Sequence, residues 1–173
     1  DDKTLAAAAR ERGVIGSANP TDPARKVYQS ETGEIRIDAP RDQLVLDTPR
    51  TAGGYAPAGS TIETHQGGVT IRTAVADATV WVSALDTEPI HRSQGLLVTH
   101  LTDLQNTGIR YAEASRQTLL DWGSMPHLVR AGRATVSIAL DTPSRYRVWA
   151  LGPGGRRLAI VPSAAQGNRL EFT

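Results

Sequence analysis

The chain has 173 residues, with 19 basic and 18 acidic side chains for a formal net charge of +1, and it has no cysteine. That length suffices for one domain with a core of its own, the even charge leaves no electrostatic footprint for nucleic acid or an anionic membrane, and the missing cysteine excludes disulfides and thiolate chemistry. No run approaches the roughly eighteen apolar residues of a membrane span, so neither nucleic acid nor membrane is an expected partner.

Residues 3–12, KTLAAAARER, have high helix propensity and stop at Gly13, and the SANPTDPAR run behind them carries two prolines among turn formers. This predicts a short helix followed by a linker. Position 1 is not Met and no signal-peptide pattern precedes the helix, so a processed piece is expected, with any targeting segment outside it. From Tyr28 onward the texture changes to short alternating runs separated by Gly, Pro, Asn and Asp, which predicts an all-β domain over 28–173.

Ten strands are predicted there, at 34–38, 43–48, 60–65, 69–74, 78–85, 95–102, 134–140, 146–151, 157–162 and 169–173. Within 69–74, Val69, Ile71 and Thr73 point away from Thr70 and Arg72, and within 78–85 Val80, Val82 and Ala84 oppose Trp81 and Ser83, so one face of each strand is expected to be wet. In LVLDTPRTAGG (44–54) the strand is expected to finish at Thr48, because Pro49 removes a ladder donor and restricts its predecessor, and the Arg-Thr-Ala-Gly-Gly run is expected to leave the sheet. Asp47 and Thr48 are suited to bonding the turning backbone, which leaves Arg50 at the strand exit, facing a carboxylate or a neighbouring domain. The segment GIRYAEASRQTLLDWGSMPH is expected to be an irregular connection with one helical turn at 112–120. DTEP (86–89) and GPGG (152–155) supply turn chemistry, the latter joining two strands in a hairpin. The expected architecture is a two-sheet antiparallel β-sandwich, jelly-roll-like, with a short N-terminal helix and linker over 1–27.

Catalytic signatures are missing: there is no G-x-S-x-G elbow, no phosphate-binding glycine loop, no dinucleotide fingerprint and no H-E-x-x-H. His65, His91, His100 and His127 lie far apart with no second ligand at metal spacing, so no metal site and no cofactor is expected. Asp86, Glu88, Glu113 and Asp121 fall in the loop-rich part as the least implausible glycosidase pair, against the reading of turn caps and solvated charges, which the sequence favours. Ser93 or Ser124 with His91 or His127 makes a nucleophile and base on paper, yet nothing orients them, so no catalytic residue is expected. Aromatic rings are the usual sugar platforms, since a flat ring matches the apolar face of a pyranose. Trp149 lies mid-strand and reads as core; Trp81 shares a face with Ser83; Tyr111 and Trp122, with Arg110 and Arg116 nearby, form the best candidate for a ligand-facing rim. Trp81, Tyr111 and Trp122 are therefore the candidate carbohydrate-binding residues.

At SETGEIRID (30–38), LVLDTPRTAGG (44–54), TVWVSALDTEPIHRSQGLLVTHLTDLQNTG (79–108) and WGSMPHLV (122–129) the chain resembles the C-terminal β-sandwich modules appended to certain bacterial glycoside hydrolases built on a (β/α)8 barrel. The similarity runs over residues 28–173, with Glu31 where those modules have Asp and Ala52 where Gln is usual. The resemblance implies extracellular or periplasmic polysaccharide breakdown, with the catalytic carboxylates on an upstream domain of the same polypeptide and residues 1–27 as that domain's tail or tether. It implies a non-catalytic accessory domain for this chain, with Arg50 as a docking residue. A carbohydrate-binding module for a plant or microbial glycan is the alternative, and an independent hydrolase would need a carboxylate pair in a cleft.

Overall fold

The computed structural model describes residues 1–173, and with 45% of them in strands and 9% in helices the chain is all-β with a short N-terminal helix. Helix α1 (Asp2–Glu11) starts where the Asp1 carboxylate accepts the Thr4 amide at 2.9 Å and ends before Gly13, whose φ of +68° breaks the helix. The following linker is tied down rather than loose. The Asn19 amide donates to the Ser30 carbonyl at 3.1 Å, and the Thr21 hydroxyl accepts the Gln29 amide at 3.0 Å.

One antiparallel sheet has six strands in the order β1 (Val27–Gln29), β2 (Ile35–Asp38), β3 (Gln43–Asp47), β4 (Thr51–Ala56), β7 (Ala78–Ala84) and β8 (Leu96–Leu101). A second has five, in the order β16 (Ser163–Gln166), β17 (Arg169–Phe172), β13 (Ala134–Ala139), β6 (Val69–Thr73) and β5 (Thr61–Glu63). Three two-stranded ribbons complete the chain: β9 (Leu104–Thr107) with β12 (Ser124–Val129), β10 (Arg110–Tyr111) with β11 (Leu119–Asp121), and β14 (Val148–Leu151) with β15 (Arg157–Val161). Every predicted strand is present, and the GPGG segment turns the β14–β15 hairpin, where the Gly152 amide donates to the Arg156 carbonyl at 2.9 Å.

The two large sheets share one cluster of fourteen buried residues. Ala52, Ala56, Val80 and Val82 reach it from the six-stranded sheet, Ile62, Ile71, Val136 and Ile138 from the five-stranded one. Ile90 and Leu140 enter it from loops. The alternation in β6 and β7 is as the sequence indicates: Val69, Ile71, Thr73, Val80 and Val82 are buried, whereas Arg72 is exposed and Trp81 half-buried.

Two expectations are corrected. The Thr-Ala-Gly-Gly run after Arg50 does not leave the sheet but becomes β4, an interior strand paired with β3 and β7. Glycine is required there because backbones crowd it: a Cβ on Gly53 would lie 2.0 Å from the Val80 carbonyl oxygen, and one on Gly54 would lie 1.9 Å from that of Leu44. The helical turn expected at 112–120 is likewise absent: residues 112–118 form the turn between β10 and β11. Arg116 is left-handed with φ +57°, and the Glu113 carboxylate accepts the Thr118 amide at 2.6 Å, which closes a tight turn in place of a helix.

Gly54→Ala should therefore lower unfolding free energy by about 3 kcal/mol or more, since the added methyl meets backbone that cannot swing aside. At Gly59 a Cβ would meet nothing within 4 Å, and only the φ of +79° opposes a side chain, so Gly59→Ala should cost about 1–2 kcal/mol of backbone strain. Urea unfolding followed by far-UV circular dichroism checks both values.

Candidate functional site

The predicted rim exists as a backbone neighbourhood. Arg110 pairs with Asp121 across the β10–β11 ribbon, which sets Trp122 one residue beyond the strand that faces Tyr111. Trp122 is 73% exposed, and its carbonyl accepts the Asn106 side-chain amide at 2.8 Å. Tyr111 is half-buried beneath the Arg116 guanidinium, whose carbon lies 5.9 Å from the ring centroid. The arginines expected beside these rings are engaged within the chain. Arg116 holds Asp103 with two hydrogen bonds at 3.0 and 2.7 Å, Arg130 lies 3.4 Å from the same carboxylate, and Arg110 sits 3.7 Å from Asp121. Arg116 and then Gln105 and Arg130 hold the Asp103 carboxyl below its ordinary value.

The segment that carries these rings exposes further apolar side chains. Leu104, Leu120, Met125, Leu128 and Val129 are each more than half exposed, and β12 has no buried residue along its length. Trp81 belongs to a different surface, the outer face of the six-stranded sheet, in one cross-strand row with Ile35, Leu46, Gly53 and Thr99.

Arg50 lies in the β3–β4 turn, where its guanidinium donates to the Asp86 carbonyl and its own carbonyl accepts the Ala84 amide at 2.8 Å. It thus fastens the turn to the loop at 85–95. Three of the four carboxylates considered as a glycosidase pair are occupied in turns, and the Glu88 side chain forms no bond within the chain. Asp86 accepts the Gln94 and Glu88 amides at 2.8 and 3.1 Å, and the Gln94 bond foremost holds its carboxyl below the ordinary value. Glu113 caps Thr118, and Asp121 accepts the Gly123 amide at 2.9 Å. Ser93 is fully buried and donates to the Gly95 carbonyl at 2.7 Å, while His127 Nδ1 meets the Asn106 side-chain oxygen at 2.7 Å. No three His, Asp or Glu side chains cluster at metal-binding geometry.

Sequence reasoning missed a polar cleft of about 260 Å³ where the β2–β3 end of one sheet meets β5 of the other, lined by Arg36, Asp38, Arg41, Gln43, Thr61 and Glu63. The signal was an inverted strand. In EIRID the isoleucines invite burial, yet Ile35 and Ile37 are 46% and 43% exposed while Asp38 is 7% exposed. Arg36 and Asp38 therefore occupy the core-side face of β2, opposite Val45 and Gln43 of β3. A second, more open depression of about 460 Å³ lies among His91, Leu140, Asp141 and Asn168.

Comparison with protein-family models, with curated proteins and with solved structures finds no match for the chain.

The ionisable groups set opposite limits on stability. Asp86 and Asp103 are held below their ordinary 3.8, so the folded state gains from their ionisation above that pH and loses the gain as pH falls through their lowered values. Tyr28, Tyr55 and Tyr146 are raised above 10.0, chiefly by desolvation, so their contribution is complete below pH 10.0 and is lost as pH rises through the raised values. Melting temperature plotted against pH should fall on both sides of a neutral plateau, and Asp103→Asn should flatten the acid limb.

Proposed function

We propose that this chain is a non-catalytic accessory β-sandwich of a secreted bacterial polysaccharide-degrading enzyme, packing against an upstream catalytic barrel in the same polypeptide. The observation that carries this reading is the concentration of exposed apolar side chains on and beside the β9–β12 ribbon, where Leu104, Leu120, Trp122, Met125, Leu128 and Val129 are 53–73% exposed. Apolar patches of this kind mark surfaces that meet another protein. The Asp86, Glu113 and Asp121 carboxylates and the Arg50, Arg110 and Arg116 guanidiniums are bonded into the chain's own turns and ribbons, which suits a packing module better than an independent hydrolase. The two sheets with a common core support a sandwich, and the motifs from SETGE to WGSMP support the glycoside hydrolase setting.

Carbohydrate binding through Trp122 is the second reading, favoured by one observation: its side chain is largely exposed at the end of the ribbon that carries Tyr111. The two readings part under oxidative footprinting. In the polypeptide that joins this domain to its catalytic partner, oxidation of Trp122 and Met125 should slow severalfold relative to the 173 residues alone, and equal rates would remove the docking reading. Affinity electrophoresis against soluble polysaccharides should show no retardation that Trp122→Ala abolishes; such a retardation would move the assignment to a carbohydrate-binding module.

A further inference from the structure

We propose that the cleft between the β2–β3 end and β5 is a binding site for a single neutral sugar ring, held by the side chains of Arg36, Asp38, Arg41 and Glu63. The site arises from the way the sheets overlap. Beyond Val45 the core-side face of β2 and β3 turns from apolar to charged, and the Gln43 side-chain amide reaches across to the Thr61 carbonyl of β5 at 3.3 Å, which spans the cleft at one place.

Its hydrogen-bonding capacity is only partly used inside the chain. Arg36 makes one hydrogen bond, from Nη2 to Asp38 at 2.8 Å, which leaves Nη1 without an acceptor and open to a ligand, while its Nε also lacks an acceptor but is closed off from water. Arg41 lies 3.9 Å from Asp38, beyond hydrogen-bond length, and neither it nor Glu63 forms a hydrogen bond elsewhere in the chain. A structural arginine in the same protein looks different. Arg169 donates to the Ser137 hydroxyl at 2.8 Å, the Ser137 carbonyl at 2.9 Å and the Thr70 hydroxyl at 3.0 Å, and ties three strands together.

Charge and size select the ligand. Two guanidiniums and the His65 imidazole face two carboxylates, so a free anion meets Asp38 and Glu63, and a free cation meets Arg36 and Arg41. A hydroxyl both donates and accepts, and adjacent hydroxyls on a ring bridge a guanidinium and a carboxylate at once. The volume of about 260 Å³ falls just under the range of about 300–1,000 Å³ typical of drug-sized sites, which suits one ring or a chain end rather than a long glycan. Preference for a sugar over another polyol rests on the polysaccharide setting proposed above; the cleft and its unused donors and acceptors do not. Inward-pointing charges also guard sheet edges against unwanted pairing, and that role predicts no ligand.

The test is a titration of the 15N-labelled chain with glucose, galactose, mannose, xylose and arabinose, and separately with glucuronate and galacturonate. At least one neutral sugar should shift the amide signals of Arg36, Asp38, Gln43, Thr61 and Glu63 with a millimolar Kd. Arg41→Ala and Glu63→Ala, both at exposed positions, should leave the spectrum folded and weaken that binding at least tenfold. Absence of shifts with every neutral sugar, shifts confined to Tyr111 and Trp122, response to uronates alone, or binding unaffected by both variants would each overturn the assignment. A chain that ignores sugars while Trp122 becomes protected beside a catalytic domain fails here alone, and one that binds sugars here without that protection fails only the docking reading.

Discussion

Asp47 ends strand β3 with a carboxylate whose two oxygens accept the His65 and Gly67 amides at 2.7 and 2.9 Å, and its carbonyl accepts the Gln66 side chain at 3.0 Å. Those three residues form the connection between β5 and β6 of the opposite sheet, so one side chain joins the two sheets at the same end of the core. The next residues continue the work. Thr48 turns the chain by bonding Thr51, the Pro49 carbonyl accepts the Ile90 amide at 2.8 Å, and Arg50 holds Ala84 and Asp86. Ile90 is thereby fixed with its side chain fully buried in the common core. Gly67 has to be small as well, because a Cβ there would lie 2.2 Å from that of Ala52. The DTPRTAGG segment is a junction of two sheets and a loop, and its punctuation is a packing requirement.

The loop anchored there is built the same way. Asp86 gathers the Glu88 and Gln94 amides, Ser93 closes on the Gly95 carbonyl, and the Tyr146 hydroxyl donates to the Ser93 carbonyl from the far side of the sequence. Side chains that sit close in sequence and invite a catalytic reading are thus consumed by the backbone groups of their own turns. What is left for function lies elsewhere: an apolar surface around Trp122, proposed to meet a catalytic domain, and the charged cleft at β2 and β5, proposed to take a sugar ring.

Much of the fold was legible because period-two alternation reports burial directly. Val69, Ile71, Val80 and Val82 reveal their strands for that reason. Three features were hidden by competing physics. In β4 the residues are small because neighbouring backbone approaches closely, and small residues read as a loop. Around 104–129 the ribbons bury little, so their apolar residues are not sorted by a period of two and the strands look irregular. In β2 the alternation is present with the sides exchanged, because the end of the sheet overhangs a polar cleft instead of the core. The site residues follow the same division: the exposure of Trp122 was readable from the connection it occupies, whereas Arg36 and Asp38 alternate with two isoleucines, a pattern that puts the charges on a solvent face.

The dependence of the fold on Asp47 is measured most directly by Asp47→Asn in equilibrium urea unfolding. The amide keeps the shape of the carboxylate but offers one acceptor oxygen where two backbone N–H groups point, and it sets an NH₂ against the other. The variant should unfold with about 2 kcal/mol less stability at an unchanged m-value. A loss under about 0.5 kcal/mol, the range of ordinary surface substitutions, would contradict the account of Asp47 as the residue that joins the two sheets.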